Sequence, residues 1–210
     1  MITTILKNAS SEIIEKKSKF IGNIYYVETR DEAEKIILAT KKKYYDANHN
    51  CYAYSIYTEN GILTKSSDDG EPSGTAGAPI QNVISSKKLN NVLAIVTRYF
   101  GGVLLGTGGL VKAYSTTTIK AIENAKTIQK GWGYEAKIEI DYKELEYFKY
   151  YCKKNNLEIT KIEYYNKITL NVEFSKEKLD LLTKNGNTIK EKLIKFDILR
   201  EKWITLNTNN

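Results

Sequence analysis

Both prolines of this 210-residue chain fall in one run, Asp68-Asp69-Gly70-Glu71-Pro72-Ser73-Gly74-Thr75-Ala76-Gly77-Ala78-Pro79-Ile80. A second run follows further on, Arg98-Tyr99-Phe100-Gly101-Gly102-Val103-Leu104-Leu105-Gly106-Thr107-Gly108-Gly109-Leu110-Val111-Lys112. Eight of the thirteen glycines lie between Gly70 and Gly109. Glycine opens backbone angles that other residues resist, and proline fixes φ and deletes an N–H donor. The backbone is therefore shaped most tightly in these two runs, and loops of that kind commonly carry binding or chemistry.

The pattern around them is mixed β and α. Residues 20–27 read as a strand. Thr29 with Glu32 forms a capping box, opening an amphipathic helix that runs to Tyr44. Residues 51–57 read as a strand, Asn60-Gly61 as a hairpin turn, and residues 62–65 as the returning strand. A helix fits within residues 74–86 if Pro79 falls in its first turn. Residues 91–99 are the most apolar strand, central in a sheet, and a helix follows from Leu110 to Ala125. Gly131-Trp132-Gly133 then punctuates the chain. Beyond it come strand 134–142, helix 143–154, strands 157–165 and 167–174, helix 176–185 and a last strand ending near Leu206. That βαββαβ order is the split ferredoxin-like layout. The Tyr147–Tyr151 cluster is assigned to the core, and residues 208–210 to a frayed tail. The expected fold is α+β in two domains, residues 1–130 and 131–210.

Hydrophobic residues make up 41% of the chain, enough for a core without disulfide or metal staples. No apolar run is long enough to span a membrane. The start lacks the layout of a signal peptide, so the two cysteines, Cys51 and Cys152, are expected as free thiols in a reducing cytoplasm. The net charge is +7. Most of the excess lies before residue 131, which biases that part toward polyanions, although solvated lysine-rich faces give the same balance.

A strand, then Gly101-Gly102, then Gly106-Thr107-Gly108-Gly109, then a helix make a strand–loop–helix unit. A helix start offers unpaired N–H groups, and glycine lets an anion approach them. Arg98, Tyr99, Gly101, Gly102, Gly106, Thr107, Gly108, Gly109 and Lys112 are therefore the candidate phosphate or nucleic-acid contacts. Close packing of a helix on a sheet explains the same glycines. The run is not a Walker A loop, because Thr107 stands where that motif needs lysine. It is not a dinucleotide fingerprint either, because Val111 falls where the last glycine should be.

Asp68, Asp69, Glu71 and Ser73, with the single histidine His49, form a second candidate loop. Carboxylates in pairs bind Mg²⁺ or act as acid and base, but in turns they also cap helices, and beside a basic loop they can instead form ion pairs with Arg98 or Lys112. Gly70-Glu71-Pro72-Ser73-Gly74 is not a nucleophile elbow. Cys51 shares a strand face with His49. One histidine and two distant cysteines make no tetrahedral zinc site.

These residues carry a resemblance. The runs from Asp68 to Gly77, from Arg98 to Gly102 and from Leu105 to Tyr114 resemble the IMPACT family. Lys17-Ser-Lys-Phe-Ile21 and His49-Asn-Cys-Tyr-Ala-Tyr54 fit its earlier positions. The likeness covers roughly residues 1–125, and the rest resembles, by layout, the ferredoxin-like domain of bacterial members, similar to a domain of elongation factor G. The resemblance implies a first domain like domain 2 of ribosomal protein S5. It implies a cytoplasmic, non-catalytic protein linked to translational control that binds RNA, the ribosome or a translation-regulating protein, with no cofactor, no metal and no membrane partner. The alternative is a small hydrolase or phosphatase using residues 68–73. Where many members carry basic residues, this chain has Ala78 and Leu104, which removes two cations from the loops.

Overall fold

Strand β4 (His49–Thr58) and strand β6 (Val92–Tyr99) are buried on both faces, and everything in the first half of the chain is arranged around them. Their side chains alternate. Cys51 and Ala53 of β4 with Val92, Ala94 and Val96 of β6 enter one core. Tyr52, Tyr54 and Ile56 with Leu93 and Ile95 enter another. A sheet that must bury both faces needs helices on both. Helix α1 (Arg30–Lys43) covers the second face through Ala33 and Ile37. Helices α2 (Gly77–Ser86) and α3 (Gly106–Ala125) cover the first.

This computed structural model describes residues 1–206; the expected frayed tail lies outside the described residues. The chain forms two compact units, Ile2–Ile128 and the residues from Gln129 on. In the first, β2 (Ala9–Glu15), β3 (Ser18–Tyr26) and β5 (Gly61–Ser67) complete an antiparallel sheet of order β2-β3-β6-β4-β5. A short strand β1 (Ile2–Ile5) is not part of this sheet but pairs with the strand that begins at Thr127, and the Asn90 N–H donates to its Thr3 carbonyl at 2.9 Å.

In the second unit, β7 (Thr127–Ile140, its first two residues still in the first unit), β8 (Glu158–Tyr164), β9 (Ile168–Ser175) and β10 (Leu193–Thr205) pair antiparallel in the order β10-β7-β9-β8. With α4 (Leu145–Lys154) and α5 (Leu179–Thr183) this is the ferredoxin-like βαββαβ arrangement. The protein is thus a two-domain α+β chain.

Three local expectations change. Gly131-Trp132-Gly133 does not break the chain but lies inside β7, where a Cβ on Gly133 would stand 2.3 Å from the Phe174 carbonyl oxygen. Helix α3 starts at Gly106, one turn before Leu110, so the glycine run is helix as well as loop. The tyrosines of α4 are not all core: Phe148 and Cys152 fill that role, while Tyr147 and Tyr150 face solvent. No helix among the described residues is long and apolar enough to cross a membrane.

Candidate functional site around the two loops

The two loops meet. Arg98, at the end of β6, is only 6% exposed, and its Nη1 donates to Glu71 Oε1 at 2.7 Å. Glu71 is itself 8% exposed. The same carboxylate oxygen accepts from the Tyr114 hydroxyl of α3 at 2.8 Å. Glu71 therefore joins the acidic loop to the central strand and to the helix that follows the glycine run. The rings of Phe20 and Phe100 lie 5.4 and 5.6 Å from the Arg98 guanidinium carbon. Arg98 Nη2 reaches Ser18 Oγ at 3.4 Å, and its Nε finds no hydrogen-bond partner among the described residues.

The other acidic side chains hold backbone. Asp68 accepts from the N–H groups of Gly74, Ala76 and Gly77 at 2.8 to 3.0 Å, which caps α2 from outside the helix. Burial works to raise its carboxyl, but the three backbone donors outweigh burial and leave it below its ordinary value. Asp69 bridges Lys41 Nζ of α1 at 2.5 Å and the Asn50 N–H of β4 at 2.7 Å. His49 Nδ1 donates to the Asp69 carbonyl at 2.9 Å, since a carbonyl oxygen only accepts, and Nε2 stands 3.9 Å from Glu71 Oε2.

The Cys51 thiol donates to the Asp68 carbonyl at 2.9 Å and lies 3.3 Å from the Tyr114 hydroxyl. Burial pushes this thiol up to about 12 and raises the Tyr114 phenol well above its ordinary value. A thiol so raised is not a nucleophile near neutral pH. Ser73 is exposed on the outside of the loop, away from this cluster's hydrogen bonds. Among the described residues no three His, Cys, Asp or Glu side chains converge as a metal-ligand set.

The glycine run lies against the tip of the β2–β3 hairpin. A Cβ on Gly101 would stand 2.0 Å from the Lys17 carbonyl carbon, so only glycine allows this approach. The tip itself, Lys16-Lys17, has φ of 43° and 66° at both turn positions. Both lysines are exposed beside the glycine loop. Beyond Gly101 the run opens to solvent: Gly102, Val103, Leu104, Gly106, Thr107 and Gly108 are exposed, as is Lys112. No side chain caps α3, and its first turn carries no acidic residue.

Of the expected site residues, the structure draws Arg98, Glu71, Asp68, Asp69 and His49 into one bonded cluster. Tyr99 is turned to Asp46, its hydroxyl donating at 2.8 Å. Gly102, Gly106, Thr107, Gly108 and Lys112 form a separate exposed surface, with Gly109 half-buried behind it. Tyr114, Ser18, Lys16 and Lys17 were not singled out from the sequence. Lys17-Ser-Lys and Tyr114 carried a signal only as part of the family likeness, and Lys16 carried none.

Fold and site together describe a two-domain α+β protein whose paired loops are locked by a buried ion pair. The Impact N-terminal domain model matches residues 16–122, half of the chain. The IMPACT family member YvyE of Bacillus subtilis is 41% identical over 127 residues, 60% of this chain and 58% of the relative. A Haemophilus influenzae IMPACT family member is 35% identical over 145 residues, 69% and 70% of the two chains. A crystal structure described as that of an hypothetical protein superposes with a TM-score of 0.63 at 25% identity, covering 99% of this chain and 98% of that one. The chain belongs to the IMPACT family.

Proposed function

We propose that this chain is a non-catalytic cytoplasmic protein of translational control that binds RNA, free or on the ribosome, through the start of α3. Family membership supports the translational link. The observation that carries the binding mode is Gly108. It sits in the exposed first turn of α3, and a Cβ there would meet nothing within 4 Å. Packing does not require glycine at this position, and a helix start without a side chain leaves its N–H groups open to a phosphate. Lys112, four residues on, shares that face, and helical side chains lean toward the N-terminus, so its ammonium tilts over the same turn. Lys16 and Lys17 add charge from the neighbouring hairpin.

The groups that an enzyme would use are engaged otherwise. Glu71, Asp68 and Asp69 hold Arg98, the α2 backbone and Lys41, and Cys51 is buried. These contacts favour a scaffold that shapes the loops over a hydrolase.

Fluorescence anisotropy with a structured RNA tests the reading. Affinity should fall with salt at about −0.7 to −0.9 log units per phosphate contact. The change Lys112→Gln, with Lys16→Gln and Lys17→Gln, should flatten that slope by about two units or more. RNA binding that is absent at low salt, or indifferent to all three substitutions, rejects it.

A further inference from the structure

Helix α4 leaves two aromatic rings in water that its packing does not use. Its buried side is Phe148 and Cys152, with Leu145 and Tyr151 packed against the same core. Tyr147 and Tyr150 stand outside at 41% and 62% exposed. Three residues apart, they are neighbours on one helix face, and Lys154 extends that face by another turn. Lys153 flanks Tyr150, and Lys143, in the turn before the helix, precedes Tyr147 by four residues. All three lysines are exposed.

None of the three forms an ion pair among the described residues. Of the nearby carboxylates, Glu146 is engaged by Lys149 at 2.9 Å, Glu144 by Lys192 and Asp141 by Lys167, while Glu158 lines the same hollow as Lys153 without an ion pair among the described residues. Lys192 Nζ also lies 4.9 Å from the Tyr147 ring centre, so even that ring stands beside a cation. A merely solvated helix face needs charge alone. Exposed rings among lysines that form no ion pair are what a single strand of nucleic acid requires, because every base has a face to stack and every phosphate seeks a cation. An acidic protein would engage the lysines but has no bases for the rings.

We propose that the outer face of α4 binds single-stranded nucleic acid, with Tyr147 and Tyr150 stacking on bases and Lys143, Lys153 and Lys154 meeting phosphates. This face belongs to the second unit, and the inference holds whether or not the glycine loop binds RNA.

The test is anisotropy of the intact chain with a labelled oligouridine of about twelve nucleotides. Tyr150→Ala should weaken binding roughly five- to hundredfold, and Tyr150→Phe should bind like the parent. Replacing Lys143, Lys153 and Lys154 by glutamine should lower the salt slope by about 2, at about 0.7 per contact. Both effects should persist in a Lys112→Gln background, which separates this face from the glycine loop. Circular dichroism on each variant confirms that the fold is kept, as the exposure of these side chains leads one to expect. Three results overturn the proposal: no binding near 50 mM salt, equal affinity for Tyr150→Ala and Tyr150→Phe, or a duplex of the same length competing as well as the single strand.

Discussion

Arg98 and Glu71 meet at 2.7 Å with both side chains almost wholly removed from water. The pair spans the two loops that dominate the sequence, and Tyr114 adds a third anchor on the same carboxylate oxygen. Removing one partner strands the other. Glu71→Gln leaves a buried guanidinium whose Nε already lacks a partner among the described residues, and should cost about 3–5 kcal/mol of unfolding free energy. Replacing both residues together, Glu71→Leu with Arg98→Met, should cost less than either single change. Urea titrations of Glu71→Gln, Glu71→Leu, Arg98→Met and the double variant measure this, and a loss under about 1 kcal/mol for Glu71→Gln would mean that the pair is not structural.

Gly101 is the tightest contact between the glycine run and the rest of the sheet. Its missing Cβ would collide with backbone rather than with a side chain able to turn away. Gly101→Ala should therefore destabilise by about 1–3 kcal/mol or more, and urea midpoints at neutral pH would show it.

The Asp68 cap predicts an acid-dependent increment. Its folded carboxyl lies below the ordinary value of 3.8. A depressed carboxylate contributes fully above the unfolded value and loses its contribution as pH falls through the folded one. The stability gap between the parent and Asp68→Asn should be constant from pH 7 to about 5 and shrink below about 4. Denaturation at a series of pH values checks it; a gap that widens in acid contradicts the cap.

Cys51 and Cys152 are both buried, and burial holds each thiol up at about 12. Neither should react with a thiol reagent in the native protein, and both should react after unfolding in urea. A native thiol count above zero would show that one of these sites opens.

Much of the fold could be read from periodicity. The Asn60-Gly61 turn, the apolar β6 and the βαββαβ order all appear where the residues place them. The capping box is there too, with Thr29 accepting from Glu32 N–H, although the Glu32 carboxylate returns to the N–H of Glu28 instead. Strand β2 was invisible because the turn before β3 uses Lys16-Lys17 at positive φ, and lysine carries none of the Asn or Gly signal for that turn. For Arg98 the sequence allows a phosphate contact or an ion pair with the acidic loop, but does not say which carboxylate would take it. Only the fold brings Glu71 to it across 27 residues. Tyr147 and Tyr150 were assigned to the core because a tyrosine on a helix carries no mark of which side it faces.

Gly108→Ala decides most directly whether the start of α3 is a binding surface. Alanine fits there sterically and is the better helix former, so unfolding free energy should hold or rise by up to about 1 kcal/mol. If the bare backbone meets phosphate, RNA affinity in the same preparation should fall about tenfold or more, the loss of roughly one charged hydrogen bond. Stability raised with RNA affinity unchanged would contradict the assignment of this turn as the RNA site.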